Sequence, residues 1–195
     1  MERIVGVVLA GGESRRFGRP KAFAKRKGMY FFQIAAEALR PAVQKLYIVS
    51  HPSLVLRFRK ETNDEVIMDV EAYRGQGPLA GIYTVMKRTE ADWVFVLPCD
   101  MPYMKASTVQ KLVSCIDDAF DVIIAAHFDR IQPLVGAYHR RTINEMERLL
   151  EEGDNRMMSL LERARVRYVN EQHFQEESTV FQNINSPADH SIDGE

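Results

Sequence analysis

Cysteine is scarce in this chain of 195 residues, which contains only Cys99 and Cys115. The two lie far apart and form no C-x-x-C pair, so neither a disulfide framework nor a cysteine zinc cluster is expected. The five histidines show neither H-x-x-x-H nor H-E-x-x-H spacing, which argues against a histidine zinc site. We therefore expect both cysteines to be packing residues.

Long apolar runs and an excess of one charge are also missing. The N-terminal run 4–10 is too short for a signal peptide, and no later run approaches the length that spans a bilayer. The chain has 26 basic and 27 acidic residues, and its formal charge of −1 provides no global field for nucleic acid or an anionic membrane. These absences predict a cytoplasmic protein with no nucleic-acid or membrane partner.

Three common active-site motifs are absent as well. Gly12 and Gly18 are separated by five residues and Gly18 is followed by Arg19, so the glycine-rich loop is not a Walker A sequence. The absence of G-x-G-x-x-G, with its acidic partner after the second strand, disfavours a NAD-dependent oxidoreductase. The absence of G-x-S-x-G excludes the hydrolase nucleophile elbow.

Short β-branched runs alternate with helical patterns along the chain. The runs that predict strands are 4–9, 46–49, 66–68, 93–97, 122–126, 135–138 and 166–169. Apolar residues keep helical spacing in 31–39, 109–120 and 143–150. The alternation predicts an α/β protein with a mainly parallel sheet, in which ligands bind beyond the carboxyl ends of the strands.

One domain is expected, because 195 residues with 46% hydrophobic content suffice for a single full core. The sequence contains no stretch that looks like an interdomain linker, so we assign residues 1–185 to this domain. Residues 186–195 combine proline, aspartate, serine and glycine with few apolar side chains, and they predict a flexible C-terminal tail.

The glycine-rich loop after the first predicted strand carries the strongest chemical signal. An apolar run ends in Gly11 and Gly12, and the cationic residues Arg15, Arg16 and Lys21 follow. Paired glycines let main-chain N–H groups approach a phosphate closely, and the three cations supply matching charge. The segment therefore predicts a polyphosphate site, with a solvated basic turn as the simpler alternative.

A single carboxylate stands at the end of the strand predicted at 93–97. Asp100 lies between Pro98 and Pro102, which stiffen the backbone around it. Mg²⁺ takes one or two carboxylates together with phosphate oxygens, so Asp100 is the predicted metal ligand. The alternative is that Asp100 only caps a helix that starts near Lys105.

A second glycine-rich segment, residues 69–81, follows the strand predicted at 66–68. Asp69 stands at its start and could accept hydrogen bonds from a base or a sugar, and Pro78 is favourable at the start of the next helix. The amide-rich N-terminus of that helix could also hold an anion. An ordinary flexible connection is an equal alternative for the glycines of this segment.

Together these stretches resemble the molybdenum cofactor guanylyltransferase family, within the wider group of nucleotidyltransferases. The family's opening motif is similar to LAGGxSxRMGxDKA, and residues 9–22 read LAGGESRRFGRPKA. Phe17 replaces the usual methionine, and Pro20 replaces the usual aspartate and so removes a carboxylate. Further agreement comes from Asp69 and from GPLAG at 77–81, PCDMP at 98–102, QPL at 132–134 with the residues through Tyr138, and NINSP at 183–187. The resemblance implies a three-layer Rossmann-like nucleotidyltransferase fold with a mainly parallel, partly mixed sheet flanked by helices.

The resemblance also implies residue roles. The residues that would line the guanine nucleotide site are Leu9, Ala10, Gly11, Gly12, Lys21, Asp69 and Asp100. Among them, Lys21 would contact phosphate and Asp100 would bind Mg²⁺, with Mn²⁺ as an alternative, and Arg15 would join these two in catalysis. The residues that would border the pterin are Gly81, Arg156, Asn183 and Asn185. Some family members carry an asparagine where this chain has Ser50-His51-Pro52, so His51 is not assigned to the site.

The implied reaction is the transfer of GMP from GTP to molybdopterin or the molybdenum cofactor, with release of pyrophosphate. The implied partners are GTP, the pterin, other cofactor-biosynthesis proteins and apo-molybdoenzymes. A cytidylyltransferase that acts on the same pterin, or on a sugar or alditol phosphate, stays open as an alternative. A non-catalytic nucleotide-binding protein that delivers the cofactor is a second alternative. The presence of both Lys21 and Asp100 argues against it, because simple binding needs no metal carboxylate opposite the phosphate loop.

Overall fold

The structure is a computed structural model, which describes residues 3–12, 17–127, 130–174 and 178–184. The strands are β1 Ile4–Ala10, β2 Lys25–Arg26, β3 Met29–Tyr30, β4 Lys45–Ser50, β5 Glu65–Ile67, β6 Trp93–Pro98, β7 Val122–His127, β8 Arg130–His139 and β9 Val166–Val169. The helices are α1 Phe31–Leu39, α2 Val55–Glu61, α3 Pro78–Arg88, α4 Ala106–Ser114, α5 Ile143–Glu151, α6 Met157–Glu162 and α7 Glu171–Phe174.

Seven of the strands form one sheet in the order β5-β4-β1-β6-β8-β7-β9. Parallel pairing joins β1 to both β4 and β6, β4 to β5, and β7 to β9. Strand β8 alone is reversed, because it pairs antiparallel with β6 on one side and β7 on the other. The predicted mainly parallel, partly mixed sheet is therefore confirmed.

Helices cover both faces of this sheet and give the predicted three layers. Core residues of α1, α2 and α4, among them Phe32, Phe58 and Leu112, pack on one face. Core residues of α3 and α5, among them Leu79 and Met146, pack on the other. Strands covered on both faces are apolar throughout, which is why the first strand and β6 stand out in the sequence as continuous runs. None of the helices in the described part of the chain has both the length and the apolar character that crossing a bilayer demands.

One local element differs from the sequence-based expectation. The helical spacing of 109–120 continues past the end of α4 at Ser114, and beyond it Asp117 accepts a hydrogen bond from the Ala119 N–H and forms a turn instead. The earlier end of this helix does not affect the edge of the sheet where the strands end. The basic segment around Lys27 is an exposed, tight hairpin turn between β2 and β3, in which Lys27 and Gly28 both have positive φ.

The pairing of β7 with β8 contains a large irregularity. Ile124 pairs with Gly136, whereas the next residue, Ala125, pairs with Gln132. The residues from Pro133 to Val135 therefore bulge out between these two pairs. A bulge of this kind bends its strand and re-aims the side chains on it.

Candidate active site

A cleft of about 530 Å³ lies at the carboxyl ends of β1, β4 and β6. Strand β1 pairs with β4 on one side and with β6 on the other, so the chain order reverses at this point. Ligands of open α/β sheets bind at such switch points. The predicted site residues that line the cleft are Leu9, Ala10, Gly11, Gly12, Lys21, Asp69, Gly81 and Asp100.

Lys21 and Asp100 meet inside this cleft. Lys21 Nζ lies 3.1 Å from Asp100 Oδ2, and the two side chains are 13% and 24% exposed. The backbone beneath the carboxylate is held from two sides: the Cys99 N–H donates to the Leu9 carbonyl at 3.1 Å, and the Ile184 N–H donates to the Asp100 carbonyl at 2.9 Å. The cation and carboxylate predicted from separate motifs therefore form one partly buried pair.

Asp100 does not cap a helix. Helix α4 begins after Lys105, and no side chain forms a capping hydrogen bond there. The capping alternative for Asp100 is wrong, because a separate turn, closed by the Met104 N–H on the Met101 carbonyl, lies between the carboxylate and the helix.

The donor set around Asp100 suits a divalent cation that also binds phosphate. Among the described residues no three histidine, cysteine or acidic side chains form a cluster that could hold a metal by themselves. Mg²⁺ is commonly bound by one or two carboxylates, while substrate phosphate oxygens and waters complete its coordination, and Lys21 beside Asp100 can bind the same phosphates. Asp100 thus fits Mg²⁺ or Mn²⁺ bound together with a nucleotide.

The loop that follows Asp69 also faces the cleft. Asp69 Oδ2 accepts a hydrogen bond from the Gly75 N–H at 3.2 Å, and the Val70 N–H donates to Thr84 Oγ1 at 2.9 Å. Burial raises the pKa of the Asp69 carboxyl, while the hydrogen bond from Gly75 opposes this shift. The segment is therefore an anchored wall of the cleft, which favours the functional interpretation over a plain connection.

Gly81 lies on the same side of the cleft as the predicted nucleotide residues. A Cβ added at Gly81 would come within 2.8 Å of Leu9 Cδ2 and 3.7 Å of Asp69 Oδ1. The residue therefore lets α3 approach the end of β1 closely. Its predicted contact with the pterin remains a prediction.

Of the other predicted pterin residues that the structure describes, Arg156 and Asn183 do not line the cleft. Arg156 is exposed, and its guanidinium donates to Asp154 at 2.9 and 2.8 Å. Asn183 is exposed next to Ile184, whose N–H contacts the Asp100 backbone. Arg15 and Asn185 lie outside the described residues, as does Arg16.

Some residues that line the cleft were not predicted as site residues. His51, Arg74 and Leu134 all line it. His51 Nδ1 accepts a hydrogen bond from the Ser53 N–H at 3.3 Å, which fixes the orientation of the ring. The position of His51 directly after a strand is a signal that points to it, and Arg74 lies within the glycine-rich segment 69–81, which also follows a strand. Cys99 also lines the cleft, and burial raises the pKa of its thiol to about 12, in agreement with a packing role.

Comparison with known proteins identifies the family of this chain. The family model described as MobA-like NTP transferase domain matches residues 6–170. A protein of Geobacillus sp. (strain WCH70) named "Probable molybdenum cofactor guanylyltransferase" is 62% identical over 187 residues, which are 96% of each chain. The crystal structure of molybdopterin-guanine dinucleotide biosynthesis protein A from Archaeoglobus fulgidus superposes with a TM-score of 0.83 at 26% identity, covering 97% of this chain and 96% of that one.

A more distant structure shares only the fold. The Mycobacterium tuberculosis protein Rv0371c, in its complex with manganese, gives a TM-score of 0.67 at 18% identity and covers 86% of this chain and 88% of its own. The family predicted from the sequence motifs is confirmed by the extent of the family match and by the identity to the Geobacillus protein. This chain belongs to the molybdenum cofactor guanylyltransferase family of MobA-like nucleotidyltransferases.

Proposed function

We propose that this protein transfers GMP from GTP to molybdopterin, with or without bound molybdenum, and releases pyrophosphate. The observation that carries the proposal is the 3.1 Å contact between Lys21 Nζ and Asp100 Oδ2 in the cleft between β1 and β6. Phosphates that enter this cleft give Lys21 a new anionic partner, so the Asp100 carboxylate becomes available to a divalent cation. A phosphoryl-transfer site needs both functions side by side.

The residues of the chain act by positioning and by neutralising charge. The terminal phosphate oxygen of the pterin attacks the α-phosphorus of GTP, the bond from this phosphorus to the bridging oxygen breaks, and pyrophosphate leaves with the electron pair. Lys21 offsets negative charge on the phosphates, and Asp69 accepts hydrogen bonds from the nucleoside. Mg²⁺ or Mn²⁺, held by Asp100 and phosphate oxygens, would add positive charge where the leaving group departs.

The backbone at the end of β1 completes the nucleotide half of the site. Leu9 and Ala10 end the strand and Gly11 and Gly12 follow without bulky side chains, so main-chain groups can contact the nucleotide directly. Backbone groups of this kind do not by themselves distinguish guanine from cytosine. The name of the Geobacillus relative, a probable molybdenum cofactor guanylyltransferase, supports GTP as the nucleotide.

Pyrophosphate release with each of the four nucleoside triphosphates tests the proposal. Purified protein is given molybdopterin and Mg²⁺ or Mn²⁺, and GTP is expected to be turned over fastest, with the guanine dinucleotide as the product. A reaction without molybdopterin serves as the control for simple hydrolysis of GTP. A clear preference for CTP would contradict the choice of nucleotide. Tight binding of GTP and pterin without any pyrophosphate would favour the delivery protein instead.

A further inference from the structure

The bulge of β8, residues 133–135, borders the cleft on the side opposite to the loop that follows Asp69. Pairing of β6 with β8 ends at Val96 and Gly136, so the residues from Pro133 to Val135 lie beside the carboxyl end of β6, which leads to Asp100. Leu134, in the middle of the bulge, lines the cleft. An apolar side chain therefore stands across Asp100 from the nucleotide residues.

A buried hydroxyl holds this bulge in place. Tyr138 is completely buried, and its hydroxyl donates a hydrogen bond to the Pro133 carbonyl. Burial also raises the pKa of the Tyr138 phenol well above its usual value, so the hydroxyl remains a donor at every working pH. Gly136, which follows the bulge, lies so close to β7 that an added Cβ would come within 2.1 Å of the Ile123 carbonyl oxygen. The two ends of the bulge are thus fixed by one side-chain bond and one close backbone approach.

The order of the strands assigns the two substrates to different halves of the cleft. Asp69 follows β5 and Leu9 ends β1, so both lie on the β5-β4-β1 side of Asp100. The nucleoside occupies that half in the proposed reaction. The acceptor has to reach the phosphates from the remaining half, whose wall is Leu134 on β8.

We propose that Tyr138 is a positioning residue, which acts through the Pro133 carbonyl to hold Leu134 as the apolar wall against the planar ring system of the acceptor. This inference rests on the proposed function, because it requires a second substrate beside the nucleotide. Tyr138 is completely buried and does not line the cleft, so its role would be indirect. Its loss is therefore expected to affect acceptor affinity, while GTP affinity and the phosphate chemistry are preserved.

Steady-state kinetics of Tyr138→Phe, with GTP and molybdopterin varied in turn, tests the inference. The variant keeps the ring in the core and removes only the hydroxyl. We expect the KM for molybdopterin to rise about five-fold, which is the scale of one lost hydrogen bond, with the KM for GTP and kcat within two-fold of wild type. A purely structural role would instead lower the melting temperature without this separation of the two KM values.

Tyr83→Phe is the matched control. Tyr83 is also buried, and its hydroxyl donates to the Glu147 carboxylate on α5, where neither residue lines the cleft. This variant also loses the hydrogen bond of a buried tyrosine, here one to a charged acceptor, which is the stronger type. Both KM values are expected to equal those of the wild type.

Leu134→Ala and the double variant, which combines Tyr138→Phe with Leu134→Ala, test whether Tyr138 acts through Leu134. If Tyr138 acts through Leu134, the double variant raises the KM for molybdopterin no more than two-fold beyond the worse single variant. Additive effects, an unchanged acceptor KM in Tyr138→Phe, or equal shifts for both substrates would each overturn the inference while the proposed function stands. A wild-type protein that forms no dinucleotide would overturn the proposed function as well.

Discussion

Lys21 Nζ and Asp100 Oδ2 lie 3.1 Å apart although 79 positions separate the two residues in the chain. Each residue follows one of two adjacent strands: Lys21 comes after the loop that leaves β1, and Asp100 comes directly after β6. Parallel strands end at the same edge of a sheet, so residues that follow them converge there. In the proposed reaction, this pair is where the phosphates and the divalent cation bind side by side.

Asp100→Asn is expected to lower kcat by about a hundred- to a thousand-fold, because the amide removes the negative charge that a divalent cation requires. The fold should persist, since asparagine has nearly the same volume and the backbone bonds of this residue to the rest of the chain do not change. Pyrophosphate release at saturating Mg²⁺, together with thermal denaturation, checks both expectations. Unchanged turnover in this variant would refute the metal assignment.

Asp92→Asn provides the control for this variant. Asp92 stands directly before β6, at the end of the strand opposite to Asp100, and its carboxylate accepts a hydrogen bond from the Arg3 N–H at 2.8 Å. The same chemical change is made there outside the cleft. Its kcat should remain within two-fold of wild type.

Gly81→Ala tests whether Gly81 serves the nucleotide half or the pterin half of the cleft. The added Cβ would lie 2.8 Å from Leu9 Cδ2, the far end of a flexible side chain, which would then shift toward the bound nucleotide. We expect the KM for GTP to rise about three- to five-fold, with the KM for molybdopterin unchanged. Stability should not fall, because alanine has a higher helix propensity than glycine. A selective rise in the KM for molybdopterin would support the role implied by the sequence resemblance.

The sequence revealed the elements that form the cleft but not how the elements meet. Strands β1 and β6 and the residues that follow them were identified because a strand buried on both faces is a continuous apolar run. The pairing of Lys21 with Asp100 depends on strand order, which no local pattern encodes. Leu134 was noted in the QPL stretch but was not assigned to the site, because a shift in register changes the direction of a side chain without changing its hydrophobicity. Pro133 stands just before the strand predicted at 135–138, and it lies inside the observed β8, where a proline is typical of a bulge.

Asp69→Asn is expected to stabilise the protein and to weaken its affinity for GTP. Burial raises the folded-state pKa of Asp69 above its ordinary value of 3.8, so the ionised carboxylate at pH 7 costs more free energy in the folded than in the unfolded chain. Asparagine removes this cost and keeps an oxygen that can accept the Gly75 N–H. We expect the melting temperature to rise by about 1–3 °C at pH 7, while the KM for GTP rises about ten-fold.

The pH dependence of this effect gives an independent check. Below pH 3.8 the carboxyl is protonated in both folded and unfolded chains, so the advantage of Asp69→Asn should disappear there. As the pH rises above 3.8, the free energy of unfolding of the wild type should fall relative to that of Asp69→Asn. A stability difference that is constant from pH 3 to pH 7 would contradict the assigned burial effect.

Asp121→Asn is expected to destabilise the protein, which is the opposite of the effect expected for Asp69→Asn. Asp121 accepts hydrogen bonds from the Arg165 guanidinium at 2.8 and 3.0 Å and from the Arg165 N–H at 2.9 Å, and it also pairs with Arg141. These contacts, above all the guanidinium of Arg165, hold the pKa of the Asp121 carboxyl well below its usual range. The resulting stabilisation is present above pH 3.8 and is lost as the pH falls through the depressed folded-state pKa.

At pH 7 the variant should lose about 2 kcal/mol of unfolding free energy in urea denaturation. Its kinetics should match wild type, because Asp121 does not line the cleft. Equal stability of the two proteins at pH 7 would show that this ion-pair cluster does not help to hold β7, β8 and β9 together.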